Sequence, residues 1–205
     1  LYRADFKLIR NHSTGNLYIS HFVSKAGNPT PTVTVGGQSI DYTRYVAAFN
    51  AQGTFLWKRE NNSLIDWSTN SFDLVIDNQN NIYTIGSAGT VGFPNEPDAI
   101  MESFNGVQFT APPGSQAQPC PYILKMDANG NTLWQTNGFT NYPGSPRAVV
   151  LNGNEVALVG GQPGMLWGNI NISNNMGYDP YLARFNKETG AIIAIETLTS
   201  STVAD

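Results

Sequence analysis

Carboxylates, two histidines and one thiol are the side chains of this chain with obvious chemical capacity. Asp66, Asp73, Glu96, Asp98, Glu102 and Asp179 fall in segments that read as loops or strand edges. Two of them flanking a sugar would supply the acid and the base or nucleophile of glycoside hydrolysis. Their spacing does not pair them, and the ordinary state of an acid in such a loop is solvation. His12 stands beside Ser13 and Thr14 in a polar turn, and His21 in the strand that follows. A catalytic histidine needs a nucleophile and an orienting acid within reach, and the local sequence supplies neither. An exposed turn histidine and a strand histidine are the simpler expectation. Cys120 is the only cysteine, so no internal disulfide and no cysteine-built zinc site can form. No nucleophile elbow, P-loop or helical zinc motif is present.

Two oxygen-rich runs, Asp77-Asn-Gln-Asn-Asn81 and Asp127-Ala-Asn-Gly-Asn131, place oxygen side chains at alternate positions. Calcium takes such hard ligands, which makes Asp77, Asp127 and Asn129 the candidate calcium residues. Neither run completes an EF-hand loop, because the glycine comes early and no terminal glutamate follows. Asx turns, in which the side chain accepts from amides a few residues on, explain both runs without a metal. No cofactor is expected, and calcium is the one ion considered.

Aromatic residues crowd the variable segments: Trp67, Phe93, Phe104, Phe109, Tyr142, Trp167 and Tyr178. A ring bordered by amide side chains suits a sugar or a peptide, since the ring gives apolar contact and the amide gives direction. Trp67, Tyr142, Trp167 and Tyr178 form the candidate ligand-binding face. The competing expectation is that each ring packs beneath its own loop.

The elements that must carry these residues follow from composition and repetition. Only 13% of the 205 residues are charged, against 40% hydrophobic, and the net charge is −4. Asn, Ser, Thr, Gln and Gly supply the polarity, a profile suited to β structure with many tight turns. Without a Lys/Arg cluster, neither nucleic acid nor an anionic membrane surface is an expected partner. No apolar stretch approaches the roughly 20 residues of a membrane span. This composition leans towards an extracellular or periplasmic setting. The triplets Asn11-His-Ser13, Asn61-Asn-Ser63 and Asn171-Ile-Ser173 match the glycosylation sequon, as chance predicts in so Asn-rich a chain.

Three segments align: Tyr45-Val-Ala-Ala-Phe-Asn-Ala-Gln-Gly-Thr-Phe-Leu-Trp57, Tyr122-Ile-Leu-Lys-Met-Asp-Ala-Asn-Gly-Asn-Thr-Leu-Trp134, and Tyr181 to Ile193 with one extra turn residue. Each reads strand, turn with Asn or Asp and Gly, strand: a β-hairpin. The first two end in Trp, and the third has an aliphatic residue there. A second hairpin alternates with the first, at Phe6–Ser20, Phe72–Gly86 and Arg147–Gly160. One unit therefore holds four strands, and the units cover 4–60, 71–137 and 146–198. Residues 199–205 read as the start of a further unit, and Leu1 in place of an initiator Met suggests an upstream segment. The pattern from 106 to 110 and that from Trp167 to Ile172 are expected to extend the central hairpins outwards. Trp57 and Trp134 are expected to pack between units.

Tandem four-stranded units predict an all-β fold: a partial β-propeller of about three blades spanning 1–205. A β-sandwich or a solenoid of the same hairpins is the alternative. Three blades leave two uncovered faces, to be closed by further blades or by a partner chain.

The Tyr122–Trp134 hairpin and the Asp77–Gly86 hairpin resemble bacterial SBBP (seven-bladed β-propeller) repeats and the related quinoprotein-like repeats. The resemblance covers most of the chain. It implies an exported protein, secreted or on the cell surface, but no particular activity. The expected function is a non-enzymatic module that binds protein or glycan, or spaces other domains. The alternatives are part of a propeller enzyme, either a glycoside hydrolase or a quinone-linked oxidoreductase, or a subunit of a surface or secretion assembly. A quinone enzyme would need a cofactor pocket, a calcium site and a catalytic Asp, none of which can be assigned from the sequence.

Overall fold

A computed structural model describes residues 6–23, 32–41, 44–61, 73–88, 100–102, 108–110, 120–139, 145–162, 164–172 and 179–197. These residues are all-β, with no helix among them.

The first sheet begins with β1 (Phe6–Arg10) and β2 (Leu17–Phe22). A small hairpin follows, β3 (Val33–Val35) and β4 (Gln38–Ile40), and then β5 (Arg44–Phe49) and β6 (Phe55–Asn61). The second sheet opens with β7 (Leu74–Ile76) and β8 (Ile82–Ala88). It inserts the hairpin β9 (Ile100–Glu102) and β10 (Gln108–Thr110), and closes with β11 (Cys120–Met126) and β12 (Thr132–Phe139). The third runs β13 (Ser145–Asn152), β14 (Glu155–Gln162), the hairpin β15 (Met165–Trp167) and β16 (Ile170–Ile172), then β17 (Asp179–Asn186) and β18 (Ile192–Thr197). In space the strands order as β1-β2-β5-β6, β7-β8-β11-β12 and β13-β14-β17-β18, every pairing antiparallel.

The sheets stack in chain order. The first strands β1, β7 and β13 approach one another in succession, more closely than the described fourth strands β6, β12 and β18 do. Sheets that converge at one edge in this way are consistent with consecutive blades of a partial propeller, and each four-stranded unit is called a blade below. The core lies between them. Val46, Ala48 and Tyr18 of the first blade meet Leu74, Ile82, Tyr122, Leu124 and Met126 of the second. Ile123, Tyr83 and Ile85, on the opposite face of the second, meet Val149, Val156, Leu158, Tyr181 and Phe185 of the third. From Pro121 to Met126 strand β11 is therefore buried on both faces, which is why its sequence there is apolar apart from Lys125. Each of these large side chains contributes about 1.5–3 kcal/mol on burial.

The 167–172 pattern does form strand, but it does not extend its own blade. β15 pairs with β12 of the preceding blade, Gly138 opposite Trp167 and Phe139 opposite Leu166, making that sheet six-stranded. Gly138 permits this approach: a Cβ there would sit 2.6 Å from Met165 Sδ and 2.7 Å from the Trp167 ring.

Candidate functional site

The joints between blades are where the chemically capable side chains gather. Both repeat tryptophans serve there. Trp57 on β6 donates its indole N–H to the Ala128 carbonyl at 3.0 Å. Trp134 on β12 donates to the Lys187 carbonyl at 3.1 Å. Each acceptor lies in the hairpin turn of the next blade. Each ring lies over a glycine of that turn, so close that an added Cβ would stand 3.0 Å from Trp57 at Gly130 and 2.7 Å from Trp134 at Gly190. Both rings also tilt against a tyrosine of their own second strand, Tyr18 and Tyr83, at 6.1 and 5.9 Å. Arg59 stacks on Trp57 and donates to the Gly130 and Asn129 carbonyls.

These turns owe their shape to Asx chemistry. Asp127 Oδ1 accepts from the Asn129 and Asn131 amides, and Oδ2 from the Asn131 side chain. Asp77 repeats the arrangement with Gln79 and Asn81, and its Oδ2 also accepts the Tyr83 hydroxyl at 3.0 Å. Burial would raise the Asp77 carboxyl, but hydrogen bonds from Asn81, Tyr83 and Gln79 outweigh it and hold the group below the usual carboxylate range. At Asp127 a slighter burial is likewise outweighed, by Asn131, Asn129 and the Arg59 charge. Burial, with the Asp77 carboxylate beside it, pushes the Tyr83 hydroxyl well up. Both carboxylates expected as calcium candidates are thus engaged by N–H and O–H donors. Asn129 lends its amide and its carbonyl to the turn and the joint. Among the described residues no group of three His, Cys, Asp or Glu is placed to hold a metal.

Among the described residues four charged side chains are buried, and each holds structure. Asp73 pairs with Lys7 of the first blade at 2.8 Å and accepts the Val149 amide of the third at 3.0 Å. Lys125 reaches across to Glu188 and the Lys187 carbonyl. Arg44 donates to the Ser87 carbonyl of the next blade. Asp77 is the turn just described.

Of the four candidate binding rings, Trp67, Tyr142 and Tyr178 lie outside the described residues. Trp167 belongs to the core: it is fully buried, its ring 4.8 Å from Phe185 and its N–H on the Thr136 hydroxyl. A ring with no exposed face cannot stack on a sugar, so the expected role of Trp167 is corrected. Its part is to lock β15 against β12. Of the candidate acids, Asp66, Glu96 and Asp98 lie outside the described residues. Glu102 and Asp179 lie in β9 and β17, and Asp73 is the joint residue. His12 is exposed in the β1–β2 turn. His21 meets Tyr45 edge-on at 5.7 Å, and burial lowers its pKa. Asn11 is buried, its amide donating to Asn80 of the next blade, which is incompatible with a glycan there. No described helix is long and apolar enough to cross a membrane.

Sequence reasoning missed Asp73, Lys125 and Arg59 as joint residues. Only Lys125 had a signal, as one charge in a run otherwise apolar. The chain matches no known protein family and no curated protein.

Proposed function

We propose that this chain is a segment of an extracellular or cell-surface β-propeller array of the SBBP type, acting as a non-enzymatic module that binds protein or glycan or spaces neighbouring domains. The observation that carries the reading is the use made of buried charge. Arg44, Asp73, Asp77 and Lys125 are each spent on a turn or a blade joint. Enzyme sites, by contrast, hold perturbed ionisable groups open to a substrate. Binding then falls to the variable segments, whose sequence carries the aromatic residues Trp67, Tyr142 and Tyr178.

The test uses the whole chain against a panel of immobilised polysaccharides and surface proteins, alongside assays for glycosidase and quinone-dependent dehydrogenase turnover. The expected result is saturable binding without turnover, weakened at least tenfold by combined Trp67→Ala, Tyr142→Ala and Tyr178→Ala. Turnover of a glycoside, or dye reduction with added quinone cofactor, would replace this reading with the enzymatic one. Labelling of intact cells by an impermeant reagent checks the location.

A further inference from the structure

Among the described residues the same joint occurs twice, and one half of it occurs a third time with no described tryptophan over it. The turn at Asn50 is built like those at Asp127 and Asn186. Its side chain accepts from the Gln52 and Thr54 amides, and its carbonyl takes the Gly53 amide. Gly53 has φ +82°, beside +77° for Gly130 and +72° for Gly190. Gly130 and Gly190 are buried, each under a tryptophan. Gly53 is exposed, with nothing within 4 Å of an added Cβ.

Two further positions repeat the contrast. Strand registers make Leu8, Leu74 and Val149 equivalent, each on a first strand. Leu74 and Val149 are 0% and 4% exposed beneath the preceding blade, while Leu8 is 51% exposed and Phe6 beside it on the same face is 65%. The inserted hairpins match as well. Gly36 lies on Phe55 of β6, as Gly168 lies on Ile192 of β18. Lys58 and Glu60 of β6 tie down Ser39 and Asp41, on the β4 side. This leaves β3 where β15 stands, and β15 pairs with the fourth strand of the blade before it. Among the described residues β3 pairs only with β4.

We infer that the first blade carries a seat for another blade of this same pattern, one whose fourth strand adds to β3 and whose tryptophan covers Gly53 and donates to the Ala51 carbonyl. The inference rests on the blade-array reading above and specifies how the array is continued. A second native copy does not fit the seat. In the third blade the Tyr and Trp flanking the third strand are replaced by Ala157 and Ala194. Arg184 between them pairs with Glu155 and Glu196. That end presents charge where the other blades present an aromatic wedge, so the two ends of the segment take different partners.

Ala194→Trp in the full chain makes the molecule its own donor. A head-to-tail contact of this kind closes into a ring or continues as a filament. Sedimentation velocity over a concentration series is expected to show self-association beginning at least tenfold lower in concentration than for the native chain. Adding Gly53→Asn, which tolerates positive φ but fills the seat, is expected to cancel the gain, as is Leu8→Glu. Association of Ala194→Trp no stronger than native, or indifferent to both second changes, overturns the seat. Should Ala194→Trp lose cooperative unfolding, a labelled peptide of Thr132–Phe139 is titrated into the native chain. Saturable binding lost in Gly53→Asn supports the seat, and no saturable binding overturns it. None of these readouts depends on a glycan or an enzyme assay, so a failed seat and a failed functional reading remain distinguishable.

Discussion

The Asp73 carboxylate accepts the Val149 amide at 3.0 Å, so a side chain of the second blade completes the backbone of the third. Its other oxygen pairs with Lys7 of the first blade and accepts the Leu74 amide. One residue thus ties three successive inner strands at the edge where the sheets converge. A carboxylate suits the place, because it alone offers acceptors in several directions together with a charge for the lysine.

Asp73→Ala leaves the buried Val149 amide without its acceptor and Lys7 without its counter-ion. The expected loss is about 2–3 kcal/mol, with Asp73→Asn losing less because one acceptor oxygen survives. Urea unfolding of both variants checks this, and equal losses would contradict the account.

Trp134 and Gly190 are expected to be coupled. Gly190→Ala costs about 1–3 kcal/mol, from a strained φ and from a Cβ driven into the ring. In a Trp134→Ala background the collision is gone and only the backbone strain is left. A double-mutant cycle should therefore return a coupling of about 1 kcal/mol. Additive losses would mean that the ring and the turn are not in contact.

Gly138→Ala is expected to push β15 from β12, since the new methyl meets Met165 and Trp167. The cost is about 1–3 kcal/mol. Hydrogen exchange should report it as lost protection confined to β12, β15 and β16, with the first blade unchanged.

Acid should weaken the Asx turns. The Asp77 and Asp127 carboxyls are held below their unfolded values, so the unfolded chain binds protons first as pH falls. Their contribution is complete above the ordinary carboxyl value of about 3.9 and is lost as pH drops through the depressed folded values. Asp77→Asn keeps one acceptor but removes the titration. It should flatten the acid limb of the stability profile, and an unchanged limb would exclude Asp77 from it.

The hairpins were legible because they are local. The Asn–Gly or Asp–Gly turns between alternating strands at Tyr45–Trp57 and Tyr122–Trp134 need no distant contact to be recognised, and the structure makes them β5–β6 and β11–β12. The third copy was legible only in part. Its longer turn, Asn186 to Gly190, moves the register by one residue, so that Ala194 rather than Ile193 stands opposite Arg184, where Trp stands in the other two. The mistaken role of Trp167 has a related cause. A tryptophan beside Gly and Asn looks the same in sequence whether it faces solvent or another strand.

By itself the sequence determined the all-β class, the repeating hairpins and the Asx turns, because hydrophobic alternation and turn chemistry act over a few residues. The tertiary structure alone decided that β15 joins the blade before its own, that Asp73 binds three strands together, and that Gly53 is open where Gly130 and Gly190 are covered. Those facts depend on residues tens of positions apart in the chain meeting across a blade joint, and no local pattern encodes which neighbour a sheet will face.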